Sequence, residues 1–178
     1  MACDITAGRL EPCQDAQAGI KKVYFINNQK DLDSTATFDS DDQITAFASA
    51  LTLYEYDVMA GNQDTFDEQG VSDANNGTSS FEVSGTVILR VQNLATRKQL
   101  QLLQAGRPQI ITLDYAGNYK LYGLINGCKV AVQANGGAAL NDLYGYTLTV
   151  TGREPSMANF VDSTIIDDTT NTSITAGA

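Results

Sequence analysis

The chain has 178 residues, 43% of them hydrophobic, which suits one domain with a proper core and excludes global disorder. It contains no His, so Ser-His-Asp and Cys-His catalysis and every imidazole zinc site are excluded, while catalysis by carboxylates alone remains possible. The net charge of −10 is uneven: residues 31–73 hold 11 acids and no Lys or Arg, which argues against binding nucleic acid by phosphate neutralisation.

Residues 1–20 are polar, broken by Gly8, Pro12 and Gly19, and read as an N-terminal arm. They hold Cys3 and Cys13, with Cys128 far along the chain. An odd count without a C-x-x-C pair points to free thiols, with a Cys3–Cys13 bridge as the alternative. The first residues lack the basic and apolar regions of a signal peptide. No run of about 20 apolar residues is present to span a membrane.

A single β domain is expected over 21–155. Lys22–Asn27 is the first strand candidate. Residues 28–43 are rich in Asn, Asp, Ser and Thr and read as a loop. Residues 43–50 fit a strand or a helical turn equally. In 51–58, Tyr54, Tyr56 and Val58 share one strand face, with Glu55 and Asp57 on the other. Residues 59–78 read as a second long polar loop.

Residues 79–92 carry the longest alternation, with Phe81, Val83, Val87, Leu89 and Val91 on one parity. Gly85 interrupts that face and suggests a bulge or bend. The period then changes. Residues 94–104 are good helix formers, with Asn93 as cap and Gly106 and Pro108 as stop, so one helix is expected there. Gln109–Asp114 and Tyr119–Ile125 flank a turn at 115–118 and read as a hairpin. Asn126-Gly127 turns the chain into a strand at Cys128–Gln133. A Gly- and Ala-rich loop and a last strand at Tyr144–Thr151 follow. Residues 156–178 lack periodicity and read as a C-terminal arm or tail.

About seven strands and one flanking helix predict a mainly β fold, an antiparallel β-sandwich or partly open barrel. No nucleotide-binding glycine pattern occurs, and the spacing of Asp31, Asp33, Asp39, Asp41 and Asp42 does not match an EF-hand, so no cofactor or metal is expected. Asp64, Asp67 and Glu68 read as an exposed acidic loop rather than a catalytic carboxylate set. Arg97 and Lys98 on the helix suit a partner carboxylate or a phosphate, against the simpler reading of a solvated face.

Three segments together resemble a known family. Met1-Ala2-Cys3-Asp4-Ile5-Thr6-Ala7-Gly8-Arg9-Leu10-Glu11-Pro12-Cys13 opens the chain and leads into Gly19–Asn27. Ala105-Gly106-Arg107-Pro108-Gln109 and Asp114-Tyr115-Ala116-Gly117-Asn118-Tyr119 lie in the middle. Gly136-Gly137 and Asn141–Pro155 form the end. Their order and spacing resemble virion structural proteins of tailed bacteriophages that infect Bacteroidota, including crAss-like phages, over most of residues 1–160. The resemblance implies a non-enzymatic tail tube or neck protein, made in the bacterial cytoplasm and located in the virion. Such subunits are commonly stacked as hexameric rings around the DNA ejection channel. The implied partners are copies of the chain, in a ring, and neighbouring virion proteins, with DNA passing without specific binding. Asp39, Asp41, Asp42, Asp64, Asp67 and Glu68 are the expected lumen or inter-ring acids, and Arg97 and Lys98 the expected helix contacts. The alternative is a capsid-associated decoration or head-fibre-anchoring protein.

Overall fold

The computed structural model describes residues 7–11, 17–58, 64–168 and 170–176, so Cys3 and Cys13 lie outside the described residues. Strand β1 (Ile20–Ile26) shows the plan of the molecule. Val23 and Phe25 enter one core, while Tyr24 and Ile26 enter another on the opposite face. A strand covered on both faces needs a continuous apolar run, which Val23–Ile26 supplies.

The loop expected over 28–43 is corrected. Leu32 is buried and anchors a short helix, α1 (Leu32–Thr35), which leads directly into β2 (Ala36–Phe38). Asp39 closes the turn into β3 (Ile44–Phe47): its Oδ1 accepts from the backbone N–H of Asp41 and of Gln43, each at 2.9 Å. Of the ambiguous segment 43–50, residues 44–47 are strand and the rest is irregular. In β4 (Leu51–Asp57), Leu51 and Leu53 join the first core, and Tyr54 and Tyr56 pack against the second.

The second expected loop is also corrected. Within 59–78, β5 (Thr65–Asp73) forms a hairpin with β6 (Thr78–Arg90), and Asp73 braces its turn by accepting from Asn75 N at 2.9 Å. Most of β5 is solvent-exposed, so its composition is that of a loop. Gly85 makes no bulge, because β6 keeps unbroken register with both neighbours. It makes room instead: a Cβ there would lie 2.8 Å from the Phe66 ring. Val91 does not continue the strand. It is exposed and left-handed, with φ 62°.

Helix α2 (Leu94–Ala105) forms as expected, with the Asn93 side chain accepting from Thr96 N at 2.6 Å. β7 (Gln109–Asp114) and β8 (Tyr119–Tyr122) form the expected hairpin. β9 (Lys129–Asn135) then crosses to the other sheet and pairs with β10 (Gly145–Glu154).

The C-terminal arm expected over 156–178 is corrected too. β11 (Asn159–Val161), α3 (Ser163–Asp167) and β12 (Thr172–Ala176) all belong to the domain, and Val161, Ile165 and Ile166 are core residues. Three helices, not one, are present among the described residues.

One sheet has eight strands in the order β12-β4-β1-β7-β8-β11-β3-β2, the other four in the order β5-β6-β10-β9. The larger is mixed, with β12 parallel to β4 and β11 parallel to β3. The smaller is antiparallel. Neither closes into a barrel, and the fold is a β-sandwich with helices beside it. The inter-sheet core joins Val23, Phe25 and Ile110 to Val87, Leu148 and Val150, and Leu100 of α2 seals its side.

Candidate functional site

The expected acids fall into two groups. Asp39, Asp41 and Asp42 occupy the β2–β3 turn, and Asp67 and Glu68 lie on β5 just after Asp64. Residues 158 and 159 bring the groups together: Ala158 N donates to Glu68 Oε1 at 2.8 Å, and Asn159 Nδ2 donates to the Asp42 carbonyl at 2.9 Å. Within each group the roles differ. Asp39 shapes its own turn. Asp64 is not an exposed acid but is buried, with Oδ1 accepting from Ile88 N at 2.7 Å, which extends the β5–β6 pairing. Glu68 is half-buried and holds the chain after β10. Asp41, Asp42 and Asp67 remain solvent-facing. Part of the acidic stretch is neutralised internally, since Lys22 bridges Glu55 at 2.8 Å and Asp57 at 3.7 Å. Arg97 and Lys98 are both exposed on α2.

The sheets end in open strands. β5 and β9 edge the smaller sheet, and β12 and β2 the larger. Folded proteins usually blunt such edges with Lys, Pro or bulges, because free N–H and C=O groups template pairing with another chain. β5 is nine residues long, carries neither Lys nor Pro, and pairs with β6 without a register shift. β12 presents Ser173, Ile174, Thr175 and Ala176 to solvent.

Gln109 and Glu154 are buried polar side chains that sequence reading did not single out. Gln109 is 0% exposed. It donates to the carbonyls of Gln29 (2.8 Å) and Leu124 (3.3 Å) and accepts from Gln29 N (3.1 Å), clamping the exit of β1 to the exit of β8. A polar residue at the head of the apolar run Ile110–Leu113 was the available signal. Glu154, 6% exposed, accepts from Asn126 N at 2.9 Å and Ile125 N at 3.3 Å, so it pins the Asn126-Gly127 turn. Burial pushes its carboxyl above the usual range, and nearby Asp33 and Glu68 add to the shift, against the lowering effect of the two N–H groups.

Cys128 is buried, and desolvation with the Glu154 charge pushes its thiol up to about 12, which makes it an inert core residue. A cleft of about 300 Å³ opens between the start of β4 and α3, lined by Thr45, Phe47, Ser49, Thr164, Asp168 and Asn171 among others. Asp168 is engaged there in its own turn, accepting from Thr170 N at 2.9 Å and from Asn171 Nδ2 at 2.8 Å. Among the described residues, no group of three or more Cys, Asp and Glu side chains is placed to hold a metal ion. No helix among them is long and apolar enough to cross a membrane.

No family model matches the chain, and no solved structure matches it. A stretch of 104 residues is 29% identical to a dihydroorotate dehydrogenase (quinone) from Dechloromonas aromatica (strain RCB), covering 58% of this chain and 27% of that enzyme. The chain thus spans about a quarter of the length of the curated relative it matches. Likeness of that degree and extent does not place the chain in the enzyme's family.

Proposed function

We propose that this chain is a non-enzymatic virion subunit of a tailed bacteriophage that assembles with copies of itself into a ring or tube of the tail or neck. The open edge of β5 carries the reading. It is a long, regular edge strand without Lys, Pro or a bulge, and a neighbouring chain can extend it by main-chain hydrogen bonds. Three further features support it. A β-sandwich with a flanking helix is the fold class that the resemblance implies. The solvent-facing acids Asp41, Asp42 and Asp67 suit a channel wall or inter-ring contact that repels phosphate and lets DNA slide. The buried polar groups Gln109, Glu154 and Asp64 all serve backbone hydrogen bonds, which is structural rather than catalytic use.

The test is imaging of the purified protein by negative stain over a rising concentration series, with mass measured by light scattering. Rings or tubes with a central channel are expected. A monomer at every concentration overturns the proposal. Binding to capsids as isolated copies, without any channel, moves the protein to the capsid-accessory class.

A further inference from the structure

The two ends of β10 present different surfaces. Just before the strand, Tyr144 is exposed, and its carbonyl accepts from Val91 N at 2.8 Å. Val91 is itself 64% exposed and held at φ 62°, a strained conformation for a β-branched residue. Three residues on, Leu94 opens α2 at 81% exposure. The helix carries Arg97 and Lys98 and no acid. This end is therefore apolar with a basic margin. Strain of this kind persists where the surroundings impose it and clusters at working surfaces.

Just after β10, Met157 (59%) and Phe160 (47%) are exposed. Lys120 covers one face of the Phe160 ring, 5.0 Å from its centroid. The Asn159–Asp42 hydrogen bond seats the β2–β3 turn beside them, bringing exposed Phe38 with Asp41 and Asp42. This end is apolar with an acidic margin. β10 has ten residues, so the two surfaces stand roughly 30 Å apart.

We propose that copies of this chain join head to tail, the Val91/Leu94/Tyr144 end of one seating on the Phe38/Met157/Phe160 end of the next. Arg97 and Lys98 then face Asp41 and Asp42 of the neighbour. The proposal rests on the self-assembly reading above and adds to the β5 edge a second contact between copies. A contact between two different patches is heterologous, so it propagates from copy to copy and closes into a ring or continues as a tube. Opposite charge at the margins selects the register and speeds encounter, and salt weakens it.

The experiment compares the full-length wild type with R97E/K98E, with D41K/M157K, and with an equal mixture of those two variants. Size is read by light scattering at low and high salt. All four changed side chains are exposed, so urea midpoints near the wild-type value confirm folding. L94S serves as a second disruption of the basic end.

Wild type is expected to assemble, less so at high salt. Each variant alone is expected to self-associate at least tenfold more weakly. The mixture is expected to associate again, because the intact acidic end of one variant meets the intact basic end of the other, and the reversed charges at positions 97/98 and 41/157 are opposite in sign at the remaining contact. If wild type and both variants assemble alike, these surfaces are not the contact, although self-assembly itself stands. A mixture that associates no better than either variant alone overturns the head-to-tail pairing. A wild type that stays monomeric overturns the self-assembly reading and this one with it.

Discussion

Replacing Gly85 by Ala tests whether this glycine provides space. The added Cβ would lie 2.8 and 2.9 Å from two carbons of the Phe66 ring and 3.0 Å from the Thr65 carbonyl oxygen. Carbon contacts settle at about 3.5–4.0 Å, so the ring must retreat by roughly 0.7 Å or more. Tyr122 blocks that retreat, stacked on Phe66 at 5.3 Å between centroids with 28° between planes. Overpacking of this kind costs about 1–3 kcal/mol, and the blocked ring places G85A in the upper part of that range. In a domain of this size the melting temperature falls by about 2–4 °C for each kcal/mol. The assay is urea unfolding of wild type, G85A, F66L and the double variant. F66L alone loses the ring stacking and destabilises. It also vacates the space that the new methyl needs, so the double variant should cost at least about 0.5 kcal/mol less than the sum of the singles. Strict additivity, or a neutral G85A, refutes the packing argument and returns Gly85 to a purely conformational role.

Q109L keeps the approximate volume but strips the clamp between Gln29 and Leu124. It is expected to cost about 2–3 kcal/mol, since the buried carbonyl of Leu124 loses a donor while half-exposed Gln29 recovers water. A urea midpoint equal to wild type refutes the clamp. The Glu154 carboxyl titrates higher in the folded chain than in the unfolded one. Its contribution to stability is therefore fully present below the unfolded value, about 4.3, and is lost as pH rises through the raised folded value. E154Q cannot ionise, so wild-type stability relative to E154Q should decline as pH rises across that window. Urea midpoints of both proteins at a series of pH values check this, and a difference that stays flat or grows with pH contradicts it.

How much was legible in the amino-acid order varies by element. Helix α2 was readable because its residues, its Asn93 cap and its Gly106 stop agree locally. The same holds for β6, whose alternation spans thirteen residues, and for the β7–β8 hairpin. β5 was not readable, because an edge strand with most positions in solvent has no apolar period to show. Its identity comes from backbone pairing with β6 across register positions Thr65–Asp73. The stretch after 156 hid for a related reason. β11 and β12 are short, and each joins a parallel partner far away in sequence, so no hairpin signal announces them.

Composition alone excluded imidazole chemistry, and local pattern alone set the mainly β class with a flanking helix. Tertiary structure decided what the polar side chains do. Asp64, Glu68 and Glu154 look alike in a sequence rich in acids, yet folding spends each on backbone N–H groups far along the chain. It leaves Asp41, Asp42 and Asp67 to solvent. That division depends on which N–H groups a distant strand brings within hydrogen-bond reach, and only the folded chain specifies that.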